Sequence, residues 1–197
     1  PDIDGIINIL KRNGNLAFKL LSGSLGAGFY KATYKEDEFY INTKRISLHE
    51  LKNIISNLNG YLVTEYIVAH NVIRKIYDVT PNTIRVQLIR DKNKEPKIIG
   101  SFIRFGTEES GVLESPTAGG IIAKVDVLDG YVNEAYTILN DRLIKLDIHP
   151  NTGQSIEITL PFWDLIKSKI YYISNYLPQL NYLGFDIIIT HDSFKII

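Results

Sequence analysis

The strongest constraint on the fold is a run of short segments with strand character that begins at Asn82 and is interrupted by turns. Apolar and polar residues alternate over 84–88, which predicts a strand with one buried face. A polar turn at 91–96 follows, and the apolar segment 98–105 then runs back, so the two segments predict a β-hairpin. This part of the chain therefore predicts mainly antiparallel sheets.

The rest of the chain adds strands, hairpins and a few helices. Strands are predicted at 15–21, 29–34 and 61–68, and further hairpins at 121–139 and 183–197. Helices are predicted at 2–12, ending at Gly14, at 48–58, behind the capping box Ser47 and Glu50, and from Pro161 to Leu177. Because strand and helix do not alternate regularly, the fold class predicted is α+β rather than a doubly wound nucleotide fold.

Composition excludes several classes of protein. The 197 residues, 45% of them hydrophobic, are enough to build one domain or two small lobes. Lysine plus arginine and aspartate plus glutamate both number 22, so neither nucleic acid nor an acidic membrane is expected as the main partner. The lack of cysteine excludes disulfides and zinc–thiolate sites and fits a reducing cytosol, although other compartments also fit.

Targeting segments are not recognisable in this sequence. No apolar run reaches the roughly 18–20 residues of a membrane-spanning helix, and the first residues do not have the pattern of a signal peptide. A cytoplasmic location is therefore expected. Because methionine is absent, the chain is also expected to begin inside a longer gene product.

A glycine-rich segment at 22–28 is the first candidate for chemistry, because such a segment allows backbone amides to approach a phosphate closely. It contains Ser22, Gly23, Ser24, Gly26 and Gly28. A dinucleotide fingerprint or a Walker loop would open a helix, whereas the residues at 29–34 have strand character. The segment therefore predicts either a phosphate-covering hairpin or an ordinary flexible β-turn.

Two charged residues near this segment have alternative interpretations. Lys19 lies in the apolar segment 16–21, where a buried ammonium would need an anion such as a triphosphate. It is alternatively an edge-strand lysine whose head reaches water. Glu65 lies in the apolar segment 62–68, whose backbone N–H and C=O groups could bind the edge of a purine. Alternatively, the segment is an ordinary sheet strand with one carboxylate that points outward.

The second half of the chain contains two arginines and an aspartate with possible catalytic roles. Arg85 and Arg104 lie on facing strands, where guanidinium groups can bind a carboxylate and a transferring phosphoryl group, or form surface salt bridges. Asp186 lies in the apolar segment 184–189. Its carboxylate is therefore expected to be paired, protonated or bound to a hard cation such as Mg²⁺.

The four histidines do not have the spacing of a zinc site. His70 and His149 lie in predicted loops, where they are candidates for substrate contact. His49 is expected on a helix surface, and His191 is expected to be solvated at a hairpin tip.

The order of these pieces resembles the nucleotide-binding lobes of the ATP-grasp superfamily, and more closely the sugar-transfer-associated ATP-grasp family. The segments that carry the resemblance span nearly the whole chain. They are YLVTEYI at 61–67, NTIRV at 82–86, RFG at 104–106, GGI at 119–121, HPNTG at 149–153, LPFW at 160–163 and GFD at 184–186.

The resemblance implies a cleft between two α+β lobes, at 1–68 and 69–197, that binds ATP and Mg²⁺. It implies that the 22–28 loop closes over the β and γ phosphates. The other roles that it implies are phosphate binding by Lys19, adenine binding by the segment that includes Thr64, Glu65, Tyr66 and Ile67, magnesium binding by Asp186, and phosphoryl stabilisation by Arg104 and Arg85. Superfamily enzymes form an acyl phosphate from a carboxylate and ATP, and an amine then captures it.

The sequence also departs from the family pattern. In the superfamily a Glu-x-Asn motif supplies the other magnesium ligands, and it is expected just after Ile197, the last residue of this sequence. A further lobe is expected before the first helix. Glu114-Ser115-Pro116 replaces the usual Asp-Asn, and Asn151 stands where aspartate is common.

The function expected is an ATP-dependent carboxylate–amine ligase in cell-surface polysaccharide or glycoconjugate synthesis, acting on a small carboxylate and an amine. A nucleotide sensor is one alternative. A sugar-binding module is another, motivated by Trp163 and the twelve tyrosines.

Overall fold

A computed structural model describes residues 2–22, 26, 28–91 and 93–197. The chain divides into two compact units, Pro1–Tyr66 and Ile67–Ile197. Each unit contains an antiparallel sheet and helices, so the α+β class predicted from the sequence is confirmed. That the two units correspond to the lobes of an ATP-binding cleft stays a prediction.

The first unit is a five-stranded antiparallel sheet with two helices. Its elements are α1 (Ile3–Asn13), β1 (Asn15–Leu20), β2 (Tyr30–Lys35), β3 (Glu38–Ile41), β4 (Lys44–Ile46), α2 (Leu48–Ser56) and β5 (Tyr61–Glu65). The strand order is β4-β3-β2-β1-β5. The two helices and one face of the sheet form the core, to which Leu10, Leu16, Phe18, Leu51 and Ile55 contribute buried side chains.

The predicted end of α1 at Gly14 and the predicted start of α2 are confirmed, whereas α2 ends at Ser56 rather than at Leu58. Gly14 adopts a φ of 78° after α1, and its N–H donates to the Leu10 carbonyl at 2.8 Å. A residue with a Cβ would be strained at this φ, which explains the glycine. Ser47 and Glu50 form the complete capping box of α2.

The second unit is built on an eight-stranded antiparallel sheet. Its elements are α3 (Asn71–Arg74), β6 (Ile84–Arg90), β7 (Pro96–Phe105), a 3₁₀ turn (Pro116–Ala118), β8 (Ile121–Val125), β9 (Tyr131–Leu139), β10 (Arg142–Leu146), β11 (Ile158–Thr159), α4 (Trp163–Asn175), β12 (Tyr182–Ile189) and β13 (Phe194–Ile196). The strand order is β10-β9-β8-β7-β6-β12-β13, and β11 pairs with β9. In the described part of the chain, no helix has the length and apolar character needed to cross a bilayer.

The two faces of this second sheet differ in chemistry. Its buried face carries apolar side chains that pack with Trp163, Ile166 and Ile170 of α4. These include Ile84, Val86, Ile103, Phe105 and Ile187, all with no exposed surface. Because side chains alternate along a strand, Arg85, Arg104 and Asp186 lie on the opposite face. We call this opposite face the polar face.

The sequence prediction did not include β3, β4, α3, β10 or β11, and two local features show how the structure departs from it. The β2–β3 hairpin was not predicted, because the turn at Glu36 and Asp37 contains no glycine, although both residues adopt positive φ. Helix α4 begins at Trp163 rather than at Pro161. The reason is that Phe162 takes the left-handed conformation, with φ 60°, and so cannot continue a helix.

Candidate functional site

Lys19 is exposed, so the prediction of a buried ammonium was wrong. Phe18 takes the core face of β1, and the alternation of the strand turns Lys19 to the other face. The alternative of an edge strand was also wrong, because β1 lies between β2 and β5. On the β2 side, however, the pairing ends with Phe18 and Tyr30, one residue before Lys19. Lys19 itself pairs only with Leu62 of β5. An exposed ammonium next to the loop is available to an anion.

The loop after β1 is described at Ser22, Gly26 and Gly28, whereas the predictions for Gly23 and Ser24 lie outside the described residues. Gly26 and Gly28 both adopt positive φ, at 78° and 71°. A Cβ on Gly28 would lie 2.3 Å from Leu20 Cδ1 and 2.7 Å from the Tyr61 hydroxyl. Conformation and space therefore both require glycine at position 28.

The predicted adenine-binding segment lies at the end of β5. The strand ends at Glu65, whose side chain is exposed, and residues 66–70 continue without regular secondary structure. The ring of Tyr66 lies 4.2 Å from the Lys31 ammonium, a cation–π contact. Thr64 Oγ1 donates to the Glu65 carbonyl at 3.2 Å, and Ile67 packs against the core of the second unit. Adenine binding by this segment stays a prediction.

The polar face of the second sheet brings Arg85, Arg104 and Asp186 together. Arg85 Nη1 donates to Asp186 Oδ2 at 2.7 Å, and Arg104 Nη2 donates to Asp186 Oδ1 at 2.9 Å. Of the three states expected for Asp186, the structure shows the paired one. Since one carboxylate faces two guanidinium groups, the cluster keeps one net positive charge, which suits an anionic ligand.

Gly184 shapes this cluster. Arg85 pairs with Asp186 across β6 and β12, and Gly184 precedes Asp186 by two residues on the same face. A Cβ on Gly184 would lie 2.4 Å from Arg85 Nη2 and 2.7 Å from Arg85 Cζ. The guanidinium therefore lies flat against the β12 backbone, in space that only glycine leaves. In the sequence Gly184 is only the first residue of the GFD segment at 184–186, and this role is not apparent from it.

Glu114 is a second residue whose role is not apparent from the sequence. Its Oε2 accepts hydrogen bonds from the Thr83 backbone N–H at 2.9 Å and from the Thr83 hydroxyl. Burial raises the pKa of the Glu114 carboxyl, while the Thr83 hydrogen bonds and the charge of Arg104 oppose this. Among the described residues, Glu114 Oε1 and Arg104 Nε are buried without a hydrogen-bond partner. Glu114 thus ties the 107–120 loop to Thr83, which directly precedes the strand that carries Arg85.

His70 is half-buried at the start of α3, where its Nδ1 accepts from the Val72 N–H at 3.2 Å. Its ring lies 6.3 Å, between centroids, from the rings of Phe162 and His191. His191 is exposed at a hairpin tip, as expected. Substrate contact by His70 stays a prediction.

His149 has the environment of a structural histidine rather than of a substrate ligand. It has no exposed surface and stacks on Tyr77, with ring centroids 4.9 Å apart. Its Nε2 lies 2.8 Å from the Gly106 carbonyl, and its Nδ1 accepts from the Asn151 N–H at 3.3 Å. Both nitrogens therefore bond backbone, and His149 has no part in the function proposed for this protein.

Burial lowers the pKa of His149, and this predicts a pH-dependent stability. The unfolded state binds the proton more readily than the folded state, so stability falls as pH drops below the ordinary histidine pKa of about 6.5. We expect the free energy of unfolding in urea to decrease between pH 7 and pH 5, by at most about 1.4 kcal/mol per pH unit for this one group.

The matched variants are His149→Gln and His49→Gln, since His49 is exposed on α2. The first should flatten the pH dependence, and the second should leave it unchanged. Equal slopes in wild type and His149→Gln would refute the assignment.

The residues present fit a nucleotide-bound magnesium ion better than a metal site built from protein alone. Within the described residues, no group of three or more histidine, aspartate or glutamate side chains is placed to hold a metal. Mg²⁺ in phosphoryl-transfer sites is commonly bound by one or two carboxylates together with substrate phosphates. Asp186 would provide one such carboxylate, and Arg85 and Arg104, which donate to it, would face the phosphates.

Comparison with known proteins gave one match. The family model described as sugar-transfer associated ATP-grasp matches residues 2–196, essentially the whole chain. Searches of curated proteins and of solved structures found nothing that matches significantly.

Proposed function

Because the chain belongs to the sugar-transfer associated ATP-grasp family, we propose that it is the ATP-binding part of a ligase that joins a carboxylate to an amine. The observation that carries the proposal is the Arg85–Asp186–Arg104 cluster on the polar face. It combines a carboxylate for a hard cation with two guanidinium groups for phosphoryl oxygens, which is what phosphoryl transfer requires.

The residues divide by role. In the first unit, Lys19 would bind the α and β phosphates, the 22–28 loop would cover the β and γ phosphates, and 64–67 would bind the adenine. In the second unit, Asp186 would be a magnesium ligand, and Arg104 and Arg85 would stabilise the phosphoryl group during transfer. Magnesium, when bound with ATP, supplies charge neutralisation at the phosphates.

The reaction proposed is the one that ATP-grasp ligases share. The substrate carboxylate would attack the γ phosphate of ATP, releasing ADP and forming an acyl phosphate. The amine would then attack the acyl carbon and release phosphate. Arg85 and Arg104 would keep both anionic groups close together and would offset their mutual repulsion, which is catalysis by position and charge.

The cellular setting rests on the family alone. The sugar-transfer association supports a role in cell-surface polysaccharide or glycoconjugate synthesis, and a cytoplasmic location follows from the need for ATP. A screen of ADP release with amino acids and amino sugars would identify the acceptor. ADP release that depends on an acceptor would also separate a ligase from a nucleotide sensor.

Titration calorimetry of Mg²⁺–ATP into the wild-type protein and Lys19→Ala tests nucleotide binding. Loss of one charge-assisted hydrogen bond is worth about 1.5–3 kcal/mol, so the Kd should rise about 10- to 100-fold. The control is Lys35→Ala, another exposed lysine of the first unit, paired with Glu36, which should bind like the wild type. Equal affinity in the wild type and Lys19→Ala would remove Lys19 from the site.

A further inference from the structure

Thr83, which directly precedes β6, lies beside Arg104 of β7. The Arg104 backbone N–H donates to the Thr83 carbonyl at 2.9 Å, and this bond continues the pairing of Ile84 with Ile103 by one residue. Directly paired residues place their side chains on the same face of a sheet, with Cβ atoms about 4.5–5.5 Å apart. The side chains of Thr83 and Arg104 are therefore neighbours on the polar face.

The Thr83 residue in turn holds the carboxylate of Glu114. Two hydrogen bonds from Thr83, one from its backbone N–H at 2.9 Å and one from its hydroxyl, end on the same oxygen, Glu114 Oε2. Among the residues that the structure describes, the other oxygen, Oε1, is buried without a donor. One oxygen of Glu114 is thus held in place next to Arg104, and the second is an unused acceptor.

Arg104 has the complementary deficit. Its Nη2 donates to Asp186, whereas its Nε is buried and, within the described part of the chain, has no acceptor. The positive charge of Arg104 acts on the Glu114 carboxyl and opposes the rise in its pKa that burial causes. A buried donor and a buried acceptor each cost free energy until they find a partner. Arg104 Nε and Glu114 Oε1 are each the kind of partner that the other needs.

The proposed function requires Arg104 to give up the partner that it has. Asp186 accepts from both Arg85 and Arg104, and as a magnesium ligand it would turn its oxygens to the cation. The Arg104 guanidinium group, at the end of a long side chain, would then lose the contact that fixes it. A group that stabilises a transferring phosphoryl group must be held in place to be effective. A second carboxylate beside Arg104 meets this requirement.

We propose that Glu114 is a positioning residue for Arg104: its Oε1 accepts from Arg104 Nε when the ligand engages Asp186. The Nε side of the guanidinium group would then be held by Glu114, and its two Nη nitrogens would be left for the phosphoryl oxygens. Glu114 acts through Arg104 and does not itself contact the nucleotide. This inference rests on the proposed ligase function and adds one residue to the same site.

The test compares two nucleotides that differ by the phosphoryl group that Arg104 would contact. Titration calorimetry with Mg²⁺ gives the Kd of a non-hydrolysable ATP analogue, which has a γ phosphoryl group, and the Kd of ADP, which has none. Glu114→Gln keeps an oxygen that accepts from Thr83 but removes the negative charge. Because a hydrogen bond between ionised groups is about twice as strong as a neutral one, the affinity for the analogue should fall about three- to tenfold. The affinity for ADP should stay unchanged.

Glu108→Gln is the matched control, since Glu108 is an exposed carboxylate of the same loop. This variant should bind both nucleotides like the wild type. An equal loss of affinity for ADP and for the analogue in Glu114→Gln would mean that Glu114 only supports the fold, and this result would overturn the proposal.

Arg104→Ala identifies the side chain through which Glu114 acts. Removing the guanidinium group should weaken binding of the analogue more than Glu114→Gln does and leave ADP binding unchanged. The double variant Arg104→Ala/Glu114→Gln should then bind the analogue as Arg104→Ala does, because the group that Glu114 holds is already absent. Losses that add up in the double variant would mean that Glu114 acts independently of Arg104, which would refute the assignment.

The proposed function and this inference fail in different ways. If neither nucleotide binds the wild-type protein, the proposed function is wrong. If the analogue binds but Glu114→Gln behaves like Glu108→Gln, only the role of Glu114 is wrong.

Discussion

Asp186→Asn is expected to lower magnesium-dependent ADP release about 10²- to 10³-fold, the range found when one preorganised electrostatic group is removed from a phosphoryl or acyl transfer site. The amide oxygen that replaces the carboxylate carries no full charge and is a poorer ligand for a hard cation. The amide nitrogen also cannot accept from Arg85 or Arg104, so one guanidinium loses its partner. Turnover and the affinity for Mn²⁺–ATP are both to be measured.

Asp164→Asn is the control for this change, since Asp164 is an exposed carboxylate of α4 in the same unit, paired with Lys167. It should behave like the wild type in both assays. Unaltered turnover in Asp186→Asn would exclude Asp186 from the chemistry, whatever its effect on stability.

Gly184→Ala is expected to reduce turnover about 10- to 100-fold although it changes no charged group. The added methyl group would occupy the space of the Arg85 guanidinium, which must then leave Asp186. A displacement of about 1 Å in a catalytic constellation is sufficient for a loss of this size. Turnover measured under saturating ATP, with the thermal unfolding midpoint alongside, separates the displacement from general destabilisation.

Gly100→Ala provides the matched control, because Gly100 also lies in a strand of this sheet. Its added Cβ would meet only Gln87 Oε1, at an ordinary 3.6 Å. In addition, Arg85→Ala and the double variant Arg85→Ala/Gly184→Ala should have equal activity, since Gly184 acts through Arg85. A double variant much less active than Arg85→Ala would mean that Gly184 acts by another route.

The sequence predicted most strands of the two sheets because their signals are local, but it missed β3, β4, β10 and β11. Alternation over 84–88 and the polar turn at 91–96 gave the β6–β7 hairpin, and the limits predicted for β9 match Tyr131–Leu139. The capping box at Ser47 gave the start of α2. These features depend on neighbouring residues only, so one sequence is enough to recognise them.

The details of the candidate site were harder to predict because they depend on contacts between distant parts of the chain. Glu114 meets Thr83 across 31 positions, and Arg85 meets Asp186 across 101. His149 had the turn residues of a loop around it, yet its ring is buried against Tyr77. No local pattern indicates which side chain will fill such a space.

The place of Lys145 on the outermost strand β10 has a consequence for the pairing of this sheet with other chains. Strand edges tend to pair with other chains, and charged side chains, lysine above all, discourage this. The same strand exposes Leu143 and Ile144. Lys145 therefore protects an edge that also exposes apolar side chains, and a neutral apolar replacement at this position would favour strand pairing between copies of the chain.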